Sequence, residues 1–206
     1  YKETLSEGRY LSDALKSVLE KIPAGSNPMD VLRTGCSLMG SLEPETEDNN
    51  IVVIGSKLAN RFCSILMYWH HYVESSTRIE TETGEETVAG HFLHLLHGKE
   101  PDETFRRALD VSLIIYAEHD FNSSTYAARI AGSTLSDIYS CMTSAIGTLR
   151  GPLHGGANAK VMTTLEKFED PDQAETSVID MIANKVRLTG FGQRAYATAD
   201  PRNAIN

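Results

Sequence analysis

The sequence has little of what covalent cross-links, membrane spans or nucleic-acid binding require. Its 206 residues include three cysteines, an odd number at wide spacing, which argues against a disulfide framework or a thiolate metal site. Acidic residues outnumber basic ones by 28 to 19, for a net charge of −9, and without a basic block we expect no nucleic-acid partner. The longest apolar run, residues 51–73, contains Lys57, Asn60 and Arg61, so it predicts a core helix and no membrane span.

Helical spacing dominates the rest of the chain and predicts an all-α fold. Apolar residues recur at three- and four-residue steps, and Asn27-Pro28 suits a helix cap followed by a first turn. The cysteines, Cys36, Cys63 and Cys141, lie in apolar helical patterns, so we expect buried free thiols in a reducing compartment. Residues 74–87 are polar and aperiodic and predict an exposed connection. The only candidate strand is 186–191.

One helix-to-helix corner carries the main functional signal. A helix that we expect to be mostly buried ends at Gly151-Pro152, and helical spacing resumes after two glycines that let the backbone approach a ligand closely. His154 lies between them, beside the amide-rich start of the second helix, where an anion or a developing oxyanion is favoured. A polar side chain in a helix hairpin is the ordinary alternative. The apolar positions are Leu135, Ile138, Met142, Ala145 and Leu149 before the corner, and Val161, Leu165 and Phe168 after it.

Three segments resemble motifs of the citrate synthase family in that family's order and spacing. They are GPLHGGAN at 151–158, YAEHDFNSST at 116–125 and GFGQRAYATADPRN at 190–203. A fourth, GHFLHLLHGKEP at 90–101, is more similar to the 2-methylcitrate synthase subfamily than to housekeeping citrate synthases. The resemblance covers about the middle half of a typical family member.

The resemblance implies an architecture and an assembly. It implies that residues 1–152 belong to a large helical domain and residues 153–206 to the beginning of a smaller one, with the active site in the cleft between the two. It also implies a homodimer with long helices packed across the two-fold axis, to which Cys36, Met39 and residues 65–69 would contribute. A chain ending at Asn206 would expose apolar surface, and we expect it to aggregate.

The resemblance further implies an addition of a deprotonated acyl-CoA to oxaloacetate. His154 matches the histidine that hydrogen-bonds the thioester oxygen as the enol forms, a role that suits an imidazole. His119 and Asn122 match residues that contact oxaloacetate, although they would also suit a helix C-terminal cap. Arg202 matches an arginine that pairs with a substrate carboxylate through two parallel donors, and the ordinary alternative is a surface arginine.

The remaining site residues follow in one glycine-rich segment. Leu188, Thr189, Gly190, Phe191 and Gly192 match the segment that lines the CoA nucleotide site, although Gly-Phe-Gly alone would also suit a tight turn. The expected partners are oxaloacetate and acyl-CoA, without a cofactor. The expected location is the bacterial cytoplasm or, in a eukaryote, the mitochondrial matrix. No targeting segment is visible.

Gln193 departs from the family pattern. The family has a histidine there that bonds the oxaloacetate carbonyl and protonates the forming alkoxide, whereas a glutamine amide can donate a hydrogen bond but no proton at neutral pH. The family's catalytic aspartate has no counterpart by motif, and Asp200 matches the structural aspartate of the DPR motif. The chain is therefore interpreted as a 2-methylcitrate synthase-like enzyme, related to citrate synthase. The alternative is an impaired or truncated homologue that binds oxaloacetate, CoA or only a partner subunit.

Three histidines raise the question of a metal site. His91, His94 and His97 follow at three-residue steps and lie within about 120° of one helical face. No matching carboxylate or cysteine accompanies them, so we expect a packed helix and no metal.

Overall fold

The computed structural model describes residues 6–117, 119–190, 200, 202 and 205, and these contain helices, turns and coil but no strand. The all-α prediction is confirmed. Within the candidate strand, residues 186–190 form coil and a turn, and Phe191 lies outside the described residues. The helices are α1 (Asp13–Leu19), α2 (Pro28–Leu42), α3 (Ile51–Ser75), α4 (Val88–His97), α5 (Glu103–Tyr116), α6 (Ser123–Gly132), α7 (Ile138–Leu149), α8 (Gly156–Leu165) and α9 (Pro171–Ala183).

Side-chain caps fix where most of these helices begin. Asn27 Oδ1 accepts a hydrogen bond from Met29 N at 2.9 Å ahead of Pro28, which confirms the predicted cap. Asp170 Oδ1 accepts from Gln173 N at 2.8 Å, and Pro171 is the first residue of α9. Caps of the same kind are made by Ser12, Asn50, Thr87, Asp102 and Asn122.

The chain divides into two compact units, Tyr1–Thr148 and Leu149–Asn206. The assignment of residues 1–152 and 153–206 to a large and a small domain stays a prediction. In the first unit, α1, α2, α3 and α7 enclose one hydrophobic core. Its buried members are Leu11, Leu15, Leu19, Val31, Leu32, Cys36, Met39, Ile54, Leu58, Ile65, Tyr68, Trp69, Tyr139 and Ile146.

Helix α3 is the central helix of the first unit. It is long and apolar enough, by length and composition, to cross a membrane, but Asn60, Arg61 and Ser64 on this helix are buried within the protein. Arg61 donates from Nη1 to Glu43 Oε1 at 2.7 Å and from Nε to the Gly8 carbonyl at 2.8 Å. A buried guanidinium needs such partners. The prediction of a core helix is confirmed.

Residues 77–87, here called the strap, have no helix or strand, and most of them are exposed, as their polarity predicts, but several contacts attach this connection to the helices. Thr81 is only 2% exposed. The Arg9 guanidinium donates to the carbonyls of Thr83 and Glu85, and Arg78 pairs with Glu20 at 2.8 Å. Long-range polar contacts, which have no periodicity along the sequence, hold the strap against the helices.

The predicted buried helix before the corner begins later and is less buried than expected. Leu135 is 95% exposed and has a left-handed φ of 61°, so it belongs to the turn after α6. Asp137 Oδ1 then accepts from Ser140 N at 3.0 Å, and α7 begins at Ile138. Only Tyr139 and Ile146 of α7 are fully buried. Apolar spacing predicted a helical turn from Leu135, but the chain forms a non-helical turn there and the helix starts only after Asp137.

The cysteines are free, but only Cys36 is fully buried. Cys63 and Cys141 are partly exposed in accessible area, so the expectation of three buried thiols is wrong for these two. Desolvation nevertheless raises the pKa of the Cys63 thiol to about 12, which leaves it unreactive at neutral pH.

The residues that the sequence suggested for a dimer contact lie elsewhere. Cys36, Met39, Ile65 and Trp69 are all buried in the core of the first unit. Their side chains therefore pack against this chain's own helices, and the expectation that they contribute to a subunit interface is wrong.

Candidate functional site

A hydrogen-bonded turn joins α7 to α8 and carries His154. Gly155 N donates to the Leu149 carbonyl at 3.0 Å, and His154 N donates to the Gly151 carbonyl at 3.0 Å. The turn fixes the backbone on both sides of the histidine, whose residue is half-buried. The predicted helix-to-helix corner is confirmed.

Gly155 is required by the packing of this turn. A Cβ at this position would lie 2.4 Å from the Leu149 carbonyl oxygen, a distance that no side chain tolerates, whereas a Cβ at Gly156 would meet only ordinary contacts. The close approach that the sequence predicted therefore occurs at Gly155, and it is to the chain's own helix end. Substituting Gly155 would displace His154 from its present place.

The start of α8 beside His154 is not capped by a side chain. Its N-cap residue is Gly155, which has no side chain to offer. The first amides of a helix have no partners within the helix and attract negative charge. This arrangement agrees with the prediction that an anion or a developing oxyanion is favoured near His154.

His119 and Asn122 lie in the first unit, between α5 and α6. Asn122 Oδ1 accepts hydrogen bonds from Ser124 N at 2.9 Å and Thr125 N at 3.1 Å. The alternative that these residues cap the C-terminus of the preceding helix is therefore wrong for Asn122, which caps the N-terminus of the next one. An amide has its NH₂ group as a separate donor, so capping occupies the oxygen side of Asn122 only. His119 is half-buried at the same junction.

The glycine segment after α9 lies in the second unit. Leu188 and Thr189 are half-buried. Gly190 has a φ of +97°, and a Cβ there would lie 2.6 Å from Val161 Cγ2 of α8. The turn therefore needs glycine for two reasons, its left-handed backbone and its contact with α8. Phe191, Gly192 and Gln193, the other predicted site residues of this segment, lie outside the described residues.

Arg202 is paired with Asp200 in this structure. Its Nε donates to Asp200 Oδ1 at 2.9 Å and its Nη2 to Asp200 Oδ2 at 2.6 Å, and the Arg202 backbone amide donates to Oδ1 at 3.0 Å. A guanidinium has five N–H donors on three nitrogens, so this pair uses one of its edges. The sequence interpretation assigned Asp200 a structural role but did not identify this partner. The i,i+2 spacing of opposite charges is the signal that could have found it.

The predicted site residues thus belong to two units. His119 and Asn122 lie in the first, and His154, residues 188–190 and Arg202 lie in the second.

A sequence model of the family described as "Citrate synthase, C-terminal domain" matches residues 1–206. The chain belongs to the citrate synthase family. It is 48% identical over 205 residues to a 2-methylcitrate synthase of Shewanella oneidensis, covering 100% of this chain and 55% of that protein. It is 38% identical over 204 residues to a citrate synthase of Deinococcus radiodurans, covering 98% of this chain and 54% of that protein. The chain spans about half the length of the curated relatives it matches.

Solved structures of the family share this fold. Citrate synthase from Thermoplasma acidophilum, in a ternary complex with carboxymethyl coenzyme A and oxaloacetate, superposes with a TM-score of 0.84 at 30% identity, over 100% of this chain and 54% of that one. Citrate synthase from Thermotoga maritima gives a TM-score of 0.79 at 32% identity, over 99% of this chain and 54% of that one. The predicted citrate synthase-like fold is confirmed.

His91 and His94 of α4 make separate contacts. His91 is fully buried, with Nε2 3.0 Å from Ser64 Oγ and Nδ1 3.0 Å from Thr83 Oγ1. His94 Nδ1 lies 3.0 Å from Glu85 Oε1. The part of the chain that the structure describes contains no group of three side chains able to hold a metal ion.

Proposed function

We propose that the full-length protein condenses an acyl-CoA with oxaloacetate and releases CoA, and that propionyl-CoA is its acyl donor, so that the product is 2-methylcitrate. The observation that carries this proposal is the 48% identity to a 2-methylcitrate synthase over the whole chain. The second candidate is a citrate synthase that uses acetyl-CoA, which the 38% identity to such an enzyme favours.

In this proposal His154 serves the acyl-CoA. Its imidazole would hydrogen-bond the thioester oxygen while charge develops there, and the uncapped start of α8 would add favourable electrostatics. The turn that holds the His154 backbone supports a fixed donor, because a group that is already oriented costs no reorganisation during the reaction. Leu188, Thr189 and Gly190, with Phe191 and Gly192, would line the CoA nucleotide.

Oxaloacetate would be held by cationic and amide donors. Arg202 would pair with a substrate carboxylate, with Asp200 on its Nε edge fixing the plane of the guanidinium. His119 and the NH₂ group of Asn122 would contact the same substrate. Gln193 would hydrogen-bond the ketone, where it can donate but cannot supply a proton. CoA leaves as a product, and the reaction as proposed needs no additional cofactor.

Thiol release tests the proposal and separates its alternatives. We expect the full-length protein to release free thiol from propionyl-CoA only when oxaloacetate is present, with a higher kcat/KM than for acetyl-CoA. Replacing Gln193 by histidine should raise turnover by about a hundredfold or more if a general acid is missing. Oxaloacetate binding without thiol release in either form would contradict the proposal and favour a binding homologue. A preference for acetyl-CoA would instead make the protein a citrate synthase.

We also propose a homodimer, located in the bacterial cytoplasm or the mitochondrial matrix. A groove of about 470 Å³ lies between α2 and α7, lined mainly by small side chains that would let another helix approach closely. Isologous contact of this face with its copy would close a two-fold dimer. Sedimentation of the full-length protein should give a dimer, and Ser144→Arg should yield monomer. The residues that line the groove between α2 and α7 are Ser37, Gly40, Ser41, Asp137, Tyr139, Ser140, Thr143 and Ser144.

A further inference from the structure

The strap is attached to the first unit through one buried polar cluster. Thr83 contributes its hydroxyl to His91 Nδ1 at 3.0 Å and its carbonyl to the Arg9 guanidinium. Glu85 contributes its carbonyl to Arg9 and its carboxylate to His94 at 3.0 Å. The strap has no helix or strand of its own, so these contacts, with the buried Thr81 and the Arg78–Glu20 pair, fix its position.

His91 is the centre of this cluster. It is 0% exposed, and its two ring nitrogens bridge Ser64 of α3 and Thr83 of the strap at 3.0 Å each. A neutral imidazole has one donor and one acceptor, and a hydroxyl can fill either role. The bridge from α3 to the strap is thus complete without a charge on the histidine.

The charges around His91 oppose a proton on its ring. Arg9 approaches from the N-terminal segment and His94 from α4, and both act with burial, the largest effect, to lower the pKa of His91 to about 4. A hydrogen bond to the Asn60 backbone on α3 acts weakly in the opposite direction. Burial lowers the pKa of Arg9, and the carboxylates of Glu85 and Glu82 on the strap act in the opposite direction.

We propose that the strap is an acid-released element, in which a proton on the buried His91 is repelled by Arg9 and frees residues 77–87 from α3 and α4 while α3 stays folded. Protonation would place two cations side by side in a buried site, where repulsion is strong. Local opening relieves it at the segment with the least regular structure. This inference does not rest on the proposed condensing activity.

Release of the strap would reshape the surface next to it. A groove of about 510 Å³ has one wall made by Gly84, Glu85 and Glu86 of the strap, and its other wall is made by residues of α4, α5 and their connection. That second wall consists of His94, Glu100, Pro101, Glu103 and Arg106.

Hydrogen exchange of the full-length protein tests this proposal. Amide exchange would be followed in peptides from the strap and from α3 between pH 7.5 and pH 4.5, after correction for intrinsic rates. With a pKa of about 4 in the closed state and an ordinary value of about 6.5 in the open state, the opening constant should rise about thirtyfold between pH 7.5 and pH 5. The α3 peptide should keep its protection over this range.

Two variants on the same helix provide the comparison. His91→Gln can bridge both hydroxyls without titrating, so its strap should exchange at a rate nearly independent of pH. His94→Gln removes the neighbouring histidine and should keep the acid response. Equal acid responses in the wild type and His91→Gln, or simultaneous loss of protection in the strap and α3, would overturn the proposal.

A direct titration covers the case in which His91→Gln does not fold. The ring resonances of His91 in the wild type, followed by NMR, should titrate together with strap exchange. A titration of His91 that leaves strap exchange unchanged would also overturn the proposal.

Discussion

The two units of this chain differ in what specifies their structure. The first has a continuous hydrophobic core formed by α1, α2, α3 and α7. In the second, no described residue is fully buried, and apolar side chains on α8 and α9, such as Met162 and Ile182, are more than half exposed. Local signals, such as the Asp170 cap and the glycine contacts, specify the second unit. His154 and Arg202, the residues to which we assign chemistry, lie in this second unit.

The largest expected difference between the units is the cost of removing an isoleucine side chain. Ile65 is fully buried, and a Cβ on Gly35 would lie only 3.0 Å from its Cδ1, so Ile65→Ala should destabilise the first unit by about 2–5 kcal/mol. Ile182 is 61% exposed in this chain of 206 residues, and in the same chain Ile182→Ala should change stability by less than about 0.5 kcal/mol. Native-state hydrogen exchange of α3 and α9 peptides measures both. Similar losses of stability for Ile65→Ala and Ile182→Ala would contradict the difference in packing between the two units.

Acid should act on the first unit through His91. Its pKa is lowered to about 4 in the folded state, so between this value and about 6.5 the unfolded chain binds a proton that the folded chain does not. Stability is therefore fully present above pH 6.5 and decreases as pH falls, by up to about 3 kcal/mol. Denaturant unfolding at several pH values should show a shallower decrease for His91→Gln. An unchanged slope in that variant would assign the acid sensitivity to other groups.

The charged pair of the second unit should matter for substrate more than for stability. Lysine cannot reproduce the two-donor contact of Arg202 with Asp200 or with a substrate carboxylate. Arg202→Lys should therefore raise KM for oxaloacetate by about tenfold to a hundredfold, with little change in KM for the acyl-CoA. Lys167→Arg, a charge-preserving change on the same unit, is the control. Equal increases in both KM values would indicate a general disturbance of the unit.

Helix caps should have a small effect, and the same one in both units. Asn27 and Asp170 each accept a hydrogen bond from a backbone amide of the first helical turn. Replacing either by alanine should cost about 1 kcal/mol, because a cap acts on its own helix regardless of the core. Hydrogen exchange in α2 and α9 measures the two costs. A clearly larger loss at Asn27 would mean that the core amplifies local changes.

Much of this fold could be predicted because its signals are local. The Asn27-Pro28 and Asp170-Pro171 starts follow from short sequence patterns, and the core face of α3 follows from helical periodicity. The strap and the Arg202–Asp200 pair could not be predicted in this way. Thr83 contacts Arg9, which is far away in the sequence, and His91, and no local pattern indicates these contacts. The polarity of residues 74–87 indicates only solvent exposure. Apolar spacing likewise assigned Leu135 to a helix, but in the structure this residue has a left-handed backbone and lies in a turn.

For the candidate site, the backbone at His154 could be predicted and its surroundings could not. Gly151-Pro152 stops α7 and thereby fixes the corner. The need for Gly155, by contrast, comes from its contact with the Leu149 carbonyl at the end of the preceding helix. The capping role of Asn122 is local, but the same residue type also suits substrate contact, so sequence alone left both interpretations open.

The most direct test of the account is thiol release by the full-length protein and its His154→Gln variant, with propionyl-CoA and oxaloacetate. The account predicts release that requires oxaloacetate and falls by about a hundredfold to ten-thousandfold in the variant, while His94→Gln, a histidine change in the first unit, keeps the wild-type rate. No oxaloacetate-dependent release from propionyl-CoA or acetyl-CoA in the wild type, or equal release with and without His154, would contradict it.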